Sequence, residues 1–201
     1  SALALCELAE RAGIPKGVLN VVVGSDSQGI GEVLTQHKDV AKFTFTGSTA
    51  VGKMLMAQCA STVKKVSLEL GGNAPFIVFD DADIEDAIAH CVATKFRNCG
   101  QTCVCTNRIY VQDSIVSDFT KKLKSAISNM KVADGFEAGV DLGPMINSEA
   151  VEKMDSLIED ARAKGANVIL GGARHELKGF FFQPTLLTDI SDDMRIVQEE
   201  I

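Results

Sequence analysis

Short apolar runs of about five residues alternate, almost from end to end, with stretches whose apolar positions recur every three or four. The runs predict buried strands and the longer period predicts amphipathic helices; their alternation is the pattern of parallel strands joined by helical crossovers. The expected fold class is α/β, with parallel sheets flanked by helices. Residues 3–12 predict a helix with Leu3, Leu5, Leu8 and Ala12 apolar, closed by Gly13 and Pro15. A strand over Val18–Val23 ending at Gly24, and a helix over 27–36, follow. Lys42–Thr46 predicts the next strand, Gly47–Gly52 a turn opening a helix to about Ala60, and Val63–Leu70 another strand.

After Gly71 and Gly72 the pattern restarts, which predicts a domain change there: 1–70 as one domain and 71–201 as a second. Pro75–Phe79 predicts a strand, and a helix begins at Asp83 with Ile84, Ala87, Ile88, Cys91 and Val92 on one face. The acidic run Asp80, Asp81 and Asp83 suits a helix N-terminus better than an ion site. Arg108–Gln112 predicts a strand, and Val116, Phe119, Leu123 and Ile127 mark a helix capped near Ser114. A helix over 149–164, with Ser148 as N-cap and Gly165 as stop, precedes strands at Val168–Leu170 and Phe182–Leu187.

With 201 residues, 46% of them hydrophobic, the chain can bury a sizeable core. A formal charge of −7 leaves no basic footprint for nucleic acid or an anionic membrane, and no apolar run reaches the length of a membrane helix. Six cysteines in so long and apolar-patterned a chain suggest a reducing compartment rather than a disulfide framework. The expected location is the cytoplasm, or the mitochondrial matrix in a eukaryote. The chain opens inside an amphipathic segment and stops at Glu199-Glu200-Ile201 without a terminating turn, so an internal fragment is expected.

The chemistry concentrates in Phe96-Arg97-Asn98-Cys99-Gly100-Gln101-Thr102-Cys103-Val104-Cys105. Cys103 is a candidate nucleophile whose thiolate a nearby cation would favour. Arg97 could supply that field or grip an anionic substrate. Thirty-four residues upstream, Glu69 in Leu68-Glu69-Leu70-Gly71-Gly72 is a candidate general base. Cys91, Cys99, Cys103, Cys105 and His90 lack the paired Cys-x-x-Cys spacing of structural zinc, so no metal is expected. Cys105 either packs or forms a reversible disulfide with Cys103, and Cys99 carries no assigned role.

Glu69-Leu70-Gly71-Gly72 and Gly100-Gln101-Thr102-Cys103, preceded by Phe45-Thr46-Gly47-Ser48, resemble the ordered motifs of the aldehyde dehydrogenase superfamily, over nearly the whole chain. The resemblance implies part of a Rossmann-like cofactor domain followed by a truncated α/β catalytic domain. It implies Cys103 as the nucleophile and Glu69 as the base, with Gly24, Gly47, Ser48, Leu70 and Glu200 contacting NAD or NADP. The Cys103 N–H would be one oxyanion donor; the family's Asn donor has no counterpart here, since neither Asn73 nor Asn98 matches its motif. The fragment alone is therefore expected to be inactive. Arg97, six residues before Cys103, resembles the succinate-semialdehyde dehydrogenase branch, where an Arg pairs with the substrate carboxylate. A small-molecule aldehyde substrate and a homo-oligomer, dimer or tetramer, in the full-length protein are further implications.

Overall fold

A computed structural model describes residues 1–201 and divides them into two compact units, Ser1–Leu70 and Gly71–Ile201. No helix in either is long and apolar enough to cross a membrane.

The first unit runs α1 (Ala2–Arg11), α2 (Ser27–Gln36), β1 (Lys42–Thr46), α3 (Thr49–Cys59) and β2 (Lys65–Glu69). The strands pair in parallel from Lys42 opposite Lys65 to Thr46 opposite Glu69, with α3 as the crossover. Phe43, Leu55 and Cys59 form the buried core, and Phe45 and Val66 pack against it. Asp26 caps α2 through Gly29 N, and Ser48 caps α3 through Val51 N. Thus Thr49–Gly52, expected in a turn, is already helical. Val18–Val23 is not a strand: no other strand of the chain pairs with it, and Val22 and Val23 are 76% and 70% exposed. A strand is defined by its ladder, and an apolar run without a neighbour has none. β2 starts at Lys65 because Val63 turns the chain through a left-handed conformation, φ 53°.

The second unit contains β3 (Ala74–Val78), α4 (Ile84–Phe96), β4 (Thr106–Val111), α5 (Val116–Ser128), α6 (Ser148–Ala163), β5 (Asn167–Leu170), β6 (Leu186–Thr188) and α7 (Arg195–Gln198). β3 and β4 pair in parallel, with a register shift between Ala74 and Pro75, where proline has no N–H to donate. Val78, Ile88, Cys91, Phe119, Leu123 and Ile127 make the core beneath that pair. β5 and β6 pair antiparallel, so the chain is not built from parallel pairs alone. Phe182 lies outside β6, in an isolated bridge to Arg174.

Helix caps were the least legible detail. Asp83 does cap α4, accepting from Glu85 N and Asp86 N. Ser114 does not cap α5; its hydroxyl donates to Asp80 Oδ2. Ser148 is the first residue of α6, and its cap is Asn147, which accepts from Ala150 N at 2.9 Å.

Candidate active site

Helix α4 ends at Phe96, and the chain then passes through three consecutive left-handed residues: Asn98 (φ 51°), Cys99 (φ 57°) and Gly100 (φ 78°). Two of these carry side chains, so the turn is strained and needs outside support. Three contacts provide it. Asn98 Nδ2 donates to the Gln101 carbonyl at 3.1 Å, Gly143 N donates to Cys99 Sγ at 3.1 Å, and Ile146 N donates to Gln101 Oε1 at 2.9 Å. Cys99 therefore anchors the loop, a role that its position in the sequence did not signal.

The turn delivers Cys103 to the surface, and it is the one exposed thiol among six free cysteines. Its N–H is bonded to no other group of the chain and is free to donate. Cys105, two residues on, is only 1% exposed. Its S–H donates to the Lys95 carbonyl at 3.3 Å, and the Thr102 hydroxyl lies 2.8 Å from the same sulfur. Lys95 itself is largely buried with Nζ donating to Asn107 Oδ1 at 2.6 Å, and burial lowers its pKa. Cys91, one turn before Lys95 in α4, has a thiol pushed up to about 11 by burial, which makes it a poor nucleophile at neutral pH.

Cys103 lines a cleft of about 270 Å³ with Gln101, Thr102, Lys153 and Glu200. Glu200 lies so close to Gly71 that a methyl group there would collide with its carboxylate. Gly72 passes beside the nucleophile: a Cβ at that position would lie 3.5 Å from the Cys103 carbonyl. Lys153 Nζ donates to the Glu200 carbonyl at 2.5 Å, a contact across 47 residues that no local pattern announced. Arg97 is exposed and does not line this cleft, and no ion pair of the chain involves it. A larger cavity of about 520 Å³ is lined mainly by residues such as Phe119, Leu123, Leu157 and Leu186, and contains neither Cys103 nor Glu200.

The remaining candidates lie in the first unit. Glu69 is the exposed last residue of β2, and its carbonyl accepts from Gly47 N at 3.0 Å, which ties the end of β2 to the turn before α3. At that turn a Cβ on Gly47 would strike the Phe45 ring. Ser48 follows as the α3 cap, so the first N–H groups of an 11-residue helix open there, a disposition suited to phosphate oxygens. Leu70 packs on Gly52, where a side chain would collide with it. Gly24 faces Ile30, whose Cδ1 lies 2.9 Å from where a Cβ would stand.

The aldehyde dehydrogenase family profile matches residues 1–201. The 3-sulfolactaldehyde dehydrogenase of Pseudomonas putida is 60% identical over 200 residues, covering 100% of this chain and 41% of that protein. The succinate-semialdehyde dehydrogenase [NADP(+)] of Escherichia coli K12 is 54% identical with the same coverage, so the chain spans about two fifths of these relatives' length. The crystal structure of succinate-semialdehyde dehydrogenase from Burkholderia pseudomallei superposes with a TM-score of 0.96 at 56% identity, over 100% of this chain and 41% of that one. The chain belongs to the aldehyde dehydrogenase family.

Proposed function

We propose that the protein carrying this chain oxidises an aldehyde with a distal anionic group to the carboxylic acid, using NAD or NADP, with succinate semialdehyde as the leading substrate. The observation that carries the reading is Cys103: an exposed thiol with an unengaged N–H, on a braced turn, in one cleft with Glu200.

In this mechanism the Cys103 thiolate adds to the aldehyde carbonyl, and the Cys103 N–H donates to the oxygen as it gains charge. The residues of each unit suit part of a dinucleotide: in the first, the α3 N-terminus at Gly47 and Ser48 offers donors for a pyrophosphate, with Gly24 and Leu70 as the further contacts the family resemblance implies, and in the second the Glu200 carboxylate can accept from ribose hydroxyls. Such a cofactor, when bound, supplies the hydride acceptor that converts the adduct into a thioester. Glu69 then draws a proton from water, and the resulting hydroxide expels Cys103 as the acid is released. On this reading 1–70 is the distal part of the cofactor domain and 71–201 the catalytic domain. The working enzyme is a homo-oligomer.

Arg97 does not line the Cys103 cleft, but its exposed guanidinium forms no ion pair within the chain, and its planar fork matches a carboxylate or a sulfonate, which supports the substrate class. The two named relatives act on aldehydes of that kind, one with a carboxylate and one with a sulfonate. The test compares succinate semialdehyde, sulfolactaldehyde and butanal as substrates for the protein translated from its complete reading frame. Arg97→Ala should lower kcat/KM for both anionic aldehydes by about 10- to 100-fold and leave butanal within about twofold. An unchanged preference for the anionic substrates removes Arg97 from the reading, and the ratio of the two in wild type decides the substrate.

A further inference from the structure

Glu200 follows a helix of only four residues, α7, which cannot hold its own geometry. The structure braces it from outside. Arg195 N, at its start, donates to Asp160 Oδ2 at 2.8 Å, and the Arg195 guanidinium grips Glu199 with Nε to Oε1 at 2.7 Å. At its far end, carbonyls that a longer helix would satisfy internally are free. Asn73 takes two of them: its Nδ2 donates to Val197 O at 2.8 Å and to Ile196 O at 3.2 Å, across more than 120 residues of chain.

Asn73 bears a cost for this. Its Oδ1 is the one buried side-chain polar atom without a hydrogen-bond partner. Turning the amide over would aim that oxygen at two carbonyls, so the double donation fixes its orientation. Asn73 is also held from behind, because Arg108 Nε donates to its carbonyl at 2.8 Å. The segment it belongs to begins at Gly71, the residue against which the Glu200 carboxylate lies.

We propose that Asn73 is a positioning residue for Glu200: its carboxamide clamps the end of α7 to the Gly71–Asn73 segment and so sets the Glu200 carboxylate in the Cys103 cleft. This rests on the reading of Glu200 as a cofactor contact. Asn73 does not line the Cys103 cleft, so its effect runs through the backbone of 196–200.

The experiment uses the protein from its complete reading frame and follows two quantities: hydrogen exchange over 71–76 and 195–201 without cofactor, and the Kd of NADH and of NADPH by fluorescence titration. Asn73→Ala and the isosteric Asn73→Asp should both accelerate exchange over 196–201 and weaken the preferred dinucleotide by about 5- to 10-fold, with KM for the aldehyde unchanged. Glu200→Gln should weaken the dinucleotide without changing exchange over 196–201. If the Asn73 variants loosen 196–201 but keep the wild-type Kd while Glu200→Gln weakens it, the inference is wrong and the reading of Glu200 stands. If Glu200→Gln keeps the wild-type Kd, that reading fails and the inference falls with it. Wild type gives an independent check should the variants not fold: on dinucleotide binding, 71–76 and 196–201 should gain protection together. A gain confined to 196–201 overturns the clamp.

Discussion

At the scale of single residues, the cysteines show how environment divides identical side chains. Cys103 is exposed, whereas Cys59, Cys91 and Cys105 are each 1% exposed, and burial pushes the Cys91 thiol up to about 11. The motif around Cys103 made that residue legible from sequence. Nothing in sequence separated Cys99 from its neighbours, because its work depends on meeting Gly143, 44 residues away. Asn73, which matches no donor motif in the sequence, likewise takes its role from carbonyls more than 120 residues away. Gly71 yields a prediction at this scale. A methyl group there meets only the end of a flexible side chain, so Gly71→Ala should leave thermal stability within about 1 kcal/mol of wild type. It should nevertheless displace the Glu200 carboxylate and raise the dinucleotide Kd by about tenfold, measured by the same titration.

At the scale of elements, α2 and β1 match their predicted spans because cap residue, period and length agree locally. Val18–Val23 had as good an apolar run as β1 and formed no strand, since a ladder depends on partners that one segment cannot reveal. The α6 cap moved from Ser148 to Asn147 because both residue types can cap and backbone geometry chooses between them. The α7 brace carries a pH prediction. Donation from Arg195 N, and then Lys164, hold Asp160 below the usual carboxylate range, and Arg195 does the same to Glu199. Lowered folded values mean that their contribution is complete above the unfolded carboxylate range of about 4, and is lost as pH falls through the lower folded values. Asp160→Asn should therefore lower Tm and speed exchange over 195–200 at neutral pH, and the difference from wild type should shrink steadily as the pH is taken below the unfolded carboxylate range. A difference that persists undiminished in acid would contradict the assignment.

At the scale of the whole molecule, the α/β class and the family were legible because three ordered motifs survive any uncertainty about element ends. The restart after Gly71 and Gly72 marked a change in pattern, and the chain divides into its two compact units between Leu70 and Gly71. Substrate choice was less legible, because a single exposed guanidinium suits a carboxylate and a sulfonate alike. The central claim is the thioester on Cys103, and trapping it is the most direct test. The Glu69→Gln variant of the complete protein, mixed with succinate semialdehyde and oxidised dinucleotide and quenched in acid, should carry a succinyl group on the peptide containing Cys103 by mass spectrometry, and Cys103→Ala should carry none. Acylation at another residue, or aldehyde oxidation that persists in Cys103→Ala, would contradict the account.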